Sequence, residues 1–227
     1  MKTILIIGGS KGIGNELLNS SLNDHKVINM SRSKPTQVHE NLTHYECDVI
    51  KDDLPELDQL DSLVYCPGSI NLKPFSRLDM DDFKDDFEIN VLGAIKAIKK
   101  YLPLLKNSPN SSILLFSTVA TKLGMPFHTS IGVAKSGVEG LVKSLGSELA
   151  PKIRINAIAP TITKTGLASK LLRNDKMVES FIQKHPLKKI LDPKEVADMA
   201  SFLISEKSQS ISGQIFDMDC GIVTFKI

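Results

Sequence analysis

Short apolar runs alternate with helix-period segments over most of the chain, and this alternation limits the fold more than any single motif. The runs at 3–7, 26–30, 45–48, 62–66, 112–117 and 154–159 read as strands apolar on both faces, with 214–217 as the last. Helical patterns fall at 12–22, 81–104, 131–149, 167–184 and 193–204. Strands apolar on both faces need cover on both. The predicted fold class is therefore α/β: a doubly wound Rossmann-type fold with a mainly parallel sheet in a single domain. Two crossovers look trimmed. The stretch 35–43 is polar without a 3.6 period, and the link from the third to the fourth strand contains Pro55, so neither is expected to hold a full helix.

The first strand runs into GGSKGIG, which places Gly8, Gly12 and Gly14 at a strand-to-helix turn. Glycines there let the backbone approach a pyrophosphate, which then rests on the free amides and positive end of the following helix. An NAD site would carry an acid about 20 residues further on. Here the second strand ends in Asn29-Met30-Ser31-Arg32. A carboxylate would repel a 2′-phosphate, whereas Ser31 and Arg32 can bind one, Arg32 through charge-assisted hydrogen bonds. Lys11 adds a second cation inside the glycine loop. The expected cofactor is NADP(H).

The bulk properties exclude several alternatives. With 28 basic and 26 acidic residues the formal net charge is +2, too small to argue for nucleic acid or an anionic membrane as partner. The three cysteines are far apart and form no CxxC, and the five histidines show no metal-binding spacing. The apolar run 4–7 is shorter than a secretory core, and no stretch is long enough to span a bilayer. The expectation is a cytoplasmic protein acting on a small-molecule substrate.

Motifs further along the chain resemble those of the short-chain dehydrogenase/reductase family. GGSKGIG is similar to its TGxxxGIG, with Ile7 in place of the threonine. Cys47-Asp48-Val49 resembles its adenine-contacting segment, and Cys66-Pro67-Gly68 stands where the family has an NNAG strand end. Ile89-Asn90-Val91 resembles its helix asparagine, and Arg154-Ile155-Asn156-Ala157-Ile158-Ala159-Pro160 its RVNxxxPG. Ile211-Ser212-Gly213-Gln214 and Asp219-Cys220-Gly221 resemble ITGQ and DGG. The resemblance implies one dinucleotide-binding domain over 1–227. It implies cofactor contacts from Gly8, Ser10, Lys11, Gly12, Ile13 and Gly14, then from Ser31, Arg32, Asp48 and Val49. Further contacts are implied for Cys66, Gly68 and Lys135, and for Pro160, Thr163 and Thr165. It also implies a homodimer or homotetramer formed through the helices 81–104 and 131–149.

The same resemblance raises a difficulty at the catalytic centre. Family members use a tyrosine to protonate the substrate oxygen, a lysine one turn later, a serine that binds that oxygen, and the helix asparagine. Lys135 and Asn90 carry over, and the serine position falls on Thr118, with Ser117 beside it. The tyrosine position falls on Ile131. Residues i and i+4 share a helix face, so Ile131 is expected as an apolar wall beside Lys135. His128, one turn earlier, is a candidate proton donor. Dienoyl-CoA reductases of the family similarly lack the tyrosine, so reduction of a conjugated C=C bond is an option beside carbonyl reduction. The expected function is an NADP(H)-dependent oxidoreductase reducing a carbonyl or a conjugated C=C bond of a small or acyl substrate. The alternative is a catalytically impaired NADP(H)-binding sensor or scaffold.

Overall fold

The computed structural model describes residues 1–225. Its strands are β1 (Thr3–Ile7), β2 (Lys26–Ser31), β3 (Leu42–Glu46), β4 (Ser62–Tyr65), β5 (Ser111–Phe116), β6 (Ile153–Pro160) and β7 (Ile215–Met218). They form one parallel sheet in the order β3-β2-β1-β4-β5-β6-β7. Every residue of β1 is buried, which is what a central strand covered on both faces requires. Its side chains alternate between two cores. Leu5 and Ile7 meet Leu63, Ala94, Ala97, Tyr101 and Val142 on one side. Ile4 and Ile6 meet Leu17, Leu18, Val64, Leu114 and Val196 on the other.

The first core is covered by α3 (Gly93–Asn107) and α4 (Thr129–Leu149), the second by α1 (Gly12–Ser21) and α6 (Pro193–Ile204). Each fully buried aliphatic side chain contributes about 1.5–3 kcal/mol. Neither trimmed crossover holds an α-helix, as the sequence predicts. No described helix is long and apolar enough to cross a membrane.

Three predicted elements need correction. The third strand is Leu42–Glu46 rather than 45–48. It lies at the sheet edge and pairs only with β2, so partial burial suffices, and the chain leaves the sheet at Cys47 to run past its end. The predicted helix 81–104 is interrupted: α2 (Met80–Phe87) passes through a π turn at Glu88–Leu92 before α3 begins. The Asn90 side chain supplies the cause, because its Nδ2 donates to the Asp86 carbonyl at 2.7 Å, the acceptor its own backbone N–H would otherwise use. The predicted helix 167–184 is helical only in α5 (Asp175–Lys184), after a single 3₁₀ turn at Gly166–Ala168. Asn174 starts it by accepting from the Met177 amide at 2.9 Å, a side-chain cap that fixes a helix start inside the apolar pattern.

Candidate active site

Loops beyond the carboxyl ends of the strands enclose a cleft of about 1500 Å³. Such a crevice is where open parallel sheets bind ligands, and this one is larger than a typical small-molecule pocket, with room for a dinucleotide and a second reactant. At one end lies the turn from β1 to α1. Gly8 (φ +82°) and Gly12 (φ +56°) adopt left-handed backbone there. A Cβ on Gly14 would come 2.5 Å from the Gly8 carbonyl oxygen, so no side chain fits between strand and helix. No side chain caps the first turn of α1, and no acidic residue occupies it, so its amides are open to an anion. Ser10, Lys11, Ile13 and Gly14 line this end, and the Thr165 methyl closes over Gly12, where a Cβ would meet it at 3.3 Å.

The end of β2 completes the anion pocket in a way the sequence did not disclose. Ser31 is buried. Its hydroxyl donates to the Ser33 carbonyl at 2.9 Å and accepts from Asn29 Nδ2 at the same distance, so it is committed inward. Ser33 instead meets Ser10 across the loop, Oγ to Oγ at 3.1 Å. Lys11 and Arg32 are exposed, and neither forms an ion pair among the described residues. Two free cations and two hydroxyls thus border one end of the cleft. Asn29 is a further residue missed from sequence: its Oδ1 accepts from the Gly9 amide at 2.9 Å and pins the glycine loop to β2. Asp48 and Val49 follow on the wall, where Asp48 Oδ1 caps its own turn by accepting from the Ile50 amide at 3.0 Å.

At the other end are Cys66, Gly68, Thr118, His128, Ile131 and Lys135. Lys135 is almost fully buried on α4, and its Nζ donates to the Phe116 carbonyl at 2.8 Å. Burial lowers its pKa to about 8, while charge on Cys66 and Asp86 would oppose that shift. Burial likewise pushes the Cys66 thiol up to about 12. Ile131, at 4% exposure, sits one turn before Lys135 and presents an apolar wall, as expected. The Ser117 hydroxyl donates to Glu139 at 2.6 Å and is thereby occupied. The Thr118 hydroxyl only accepts, from the Ala120 amide at 3.3 Å, so its hydrogen remains free for the cleft.

His128 lines the mouth of the cleft, its Nδ1 held by the Pro126 carbonyl at 2.7 Å. A carbonyl only accepts, so Nδ1 carries a proton and Nε2 is the nitrogen left to exchange one. Pro160, Thr163 and Thr165 lead out of β6 along the same wall, and Thr163 is fixed by donating to the Thr161 carbonyl at 2.9 Å. Asn90 does not line the cleft. It stands behind Ser69, donating from Nδ2 to Ser69 Oγ at 3.0 Å. No cluster of metal-ligating side chains occurs among the described residues.

A glycine-lined anion pocket and a buried lysine in one crevice of a parallel sheet define a dinucleotide-dependent oxidoreductase class. Comparison with known proteins agrees. The family model described as enoyl-(acyl carrier protein) reductase matches residues 26–223, and the chain belongs to the short-chain dehydrogenase/reductase family. It is 29% identical to the 3-oxoacyl-[acyl-carrier-protein] reductase FabG of Thermotoga maritima over 177 residues, 78% of this chain and 71% of that protein. It is 28% identical to a tropinone reductase homolog of Arabidopsis thaliana over 241 residues, 97% of this chain and 78% of the relative. Among solved structures, ElxO with NADP bound superposes with a TM-score of 0.90 at 28% identity, covering 99% of this chain and 100% of that one. A short-chain dehydrogenase family protein from Francisella tularensis gives 0.89 at 25% identity, with coverage of 99% and 100%.

Proposed function

We propose that the protein is an NADP(H)-dependent reductase acting on a carbonyl or a conjugated C=C bond of a small or acyl substrate. One observation carries this reading: a single cleft joins a cationic glycine pocket at Lys11 and Arg32 to the buried amine of Lys135. The cradle fits a dinucleotide. Gly8, Gly12, Gly14, Ser10 and Ile13 would border the pyrophosphate, and Lys11 and Arg32, helped by the Ser10 and Ser33 hydroxyls, the 2′-phosphate. Asp48 and Val49 would face the adenine, with Ser31 holding the loop beneath. Cys66, Gly68, Lys135, Pro160, Thr163 and Thr165 would border the nicotinamide end. The printed names of relatives (3-oxoacyl reductase, tropinone reductase homolog) and of the family model (enoyl reductase) support reduction of C=O or C=C.

When bound, the reduced nicotinamide supplies hydride. The chain's own residues do the rest. Lys135 donates to the ribose hydroxyls, and Thr118 donates its free hydroxyl hydrogen to the substrate oxygen, stabilising the charge that grows there. His128 delivers the proton from Nε2, to the oxygen of a carbonyl substrate or to the α-carbon of an enolate. Asn90 is a positioning residue that holds Ser69 in the wall. The pairing of helices across two-fold axes, giving a homodimer or homotetramer, belongs to the same reading.

The test follows loss of NADPH absorbance with ketones, enones, and 3-oxoacyl and enoyl thioesters. Turnover of at least one, with NADPH preferred over NADH, is expected. Tight NADPH binding without turnover of any favours the second reading, an NADP(H)-binding sensor or scaffold. The observation behind that reading is the buried isoleucine where a phenol would stand.

A further inference from the structure

The helix α2 carries an acidic run, and one of its members is not on the surface. Asp86 is 1% exposed. Its Oδ1 accepts a hydrogen bond from Ser69 Oγ, and Ser69 Oγ in turn accepts from Asn90 Nδ2. Its Oδ2 and the Asn90 Oδ1 are both buried with no hydrogen-bond partner among the described residues. Two unspent acceptors of this kind are costly unless a donor faces them.

The donor is close by. A Cβ built on Gly68, the residue before Ser69, would lie 3.2 Å from Asn90 Oδ1 and 3.6 Å from Lys135 Nζ. Lys135 uses one N–H on the Phe116 carbonyl and has two more. A buried ammonium with unspent donors and a buried carboxylate with an unspent oxygen therefore share one small region of the fold. We propose that Asp86 supplies, from α2, the buried electrostatic partner that Lys135 lacks at Ile131 on its own helix, acting through the Ser69–Asn90 bracket.

The neighbouring charges support this assignment. Two groups oppose the desolvation of Lys135, Cys66 and Asp86. A thiol pushed up to about 12 is neutral near pH 8, so Asp86 is the anion that acts there. Glu139, on α4, is turned onto Ser117 and Thr121. Asp85 and Glu88, beside Asp86, are exposed at the cleft rim. His128 and His185 line the cleft, and both nitrogens of His185 are bonded, to Thr161 and to the Phe181 carbonyl. Asp86 is thus a positioning residue, which keeps the Lys135 ammonium available to the cofactor.

The inference rests on the reading that Lys135 holds the cofactor, and the test separates the two. NADPH affinity is measured from pH 6 to 9.5 for the native chain and for Lys135→Ala, Asp86→Asn and Asp86→Glu. Lys135→Ala should be weak throughout and lose the component of the pH dependence that the lysine confers. Asp86→Asn should bind like the native chain at pH 6. It should then lose affinity with a midpoint at lower pH than the native chain's, because a neutral side chain no longer opposes the effect of burial on Lys135. Asp86→Glu, which keeps the charge, should move the midpoint back. A purely structural role would weaken binding equally at every pH. If Asp86→Asn does not fold, Asp86→Ala is read in the same way. A native midpoint in the neutral variant, with Lys135→Ala weakened, overturns the role of Asp86 alone. Native affinity in Lys135→Ala overturns the reading of the lysine and this inference with it.

Discussion

Replacing Ile131 with tyrosine tests whether the cleft lacks only a phenol. Ile131 is on the cleft-facing side of α4, one turn before Lys135, so a tyrosine there would aim its ring into the same space. A protonated Lys135 one turn away would lower the phenol's pKa toward neutrality. Thr118, with its free hydroxyl hydrogen, already stands on the cleft wall. A positioned general acid is worth ~10²–10⁴ in rate, or about 3–5 kcal/mol of barrier. Two effects reduce the gain. The larger side chain replaces one that is only 4% exposed, and overpacking of this kind costs about 1–3 kcal/mol of stability. Asp86 also competes with the phenol for the same ammonium.

A gain of roughly 10–10³-fold in kcat with simple ketones is therefore expected, below the full general-acid factor. The rate should fall as pH rises through the phenol's pKa, because only the protonated form donates. The assay is NADPH oxidation at saturating cofactor, with thermal unfolding and NADPH affinity measured on the same preparation. A variant that folds, binds NADPH as the native chain does and reduces no ketone faster would refute the reasoning. The oxygen-binding and hydride-accepting positions would then lie elsewhere in the cleft.

Arg32→Ala should weaken NADPH binding by about 1.5–3 kcal/mol, the range for hydrogen bonds to charged groups, and leave NADH binding nearly unchanged; equal losses would show that Arg32 does not read the 2′-phosphate. In Gly93→Ala the new Cβ would stand 2.1 Å from Tyr65 Oη, which donates to the Ile89 carbonyl at 2.6 Å, and 2.8 Å from Ile50 Cδ1. Overpacking of about 1–3 kcal/mol against a helix-propensity gain of ~1 leaves a net loss of up to about 2 kcal/mol, read as a lower urea midpoint. Without cofactor, the native chain should gain stability as pH rises from about 8 towards 10.5, a gain that Lys135→Met should lose. Because the folded pKa, about 8, lies below the ordinary 10.5, the unfolded chain holds more protons between those values. Native stability therefore rises with pH across that window and that of Lys135→Met does not, as paired urea titrations at pH 7.5 and 10 would record. Light scattering at micromolar concentration should find a dimer or larger, and a monomer would remove the helix-pairing expectation.

What could be read from the sequence, and what could not, follows from how much each residue's role depends on its neighbours in the chain. β1 and the loop after it are legible because one apolar run feeds Gly8 directly, and period and turn chemistry agree. The edge strand β3 is displaced from the expected 45–48 because an edge needs only partial burial, and neither LTHYE nor the overlapping Tyr45–Asp48 stretch carries a clear apolar run. Ser31 and Ser33 show a second limit. Both are serines next to Arg32, and only the sharp exit from β2 turns one hydroxyl inward and brings the other to Ser10.

Asp86 is the instructive miss. In MDDFKDDF an acid reads as part of a solvated helix face, the reading that fits its exposed neighbours Asp81 and Asp85. Yet Asp86, Asn90, Ala94, Ala97 and Tyr101 recur at helical spacing, and all are buried. Set beside that stripe, the carboxylate is on the inward face, four residues from the one asparagine that already had to be inside. An acid at a core position of a helix that backs an active-site lysine is a stronger pointer than the acidic run that hides it. A buried charge remains charged only where a partner holds it. Among the described residues, the buried ammonium whose charged form Asp86 favours is that of Lys135, which enters from α4 one turn after an isoleucine.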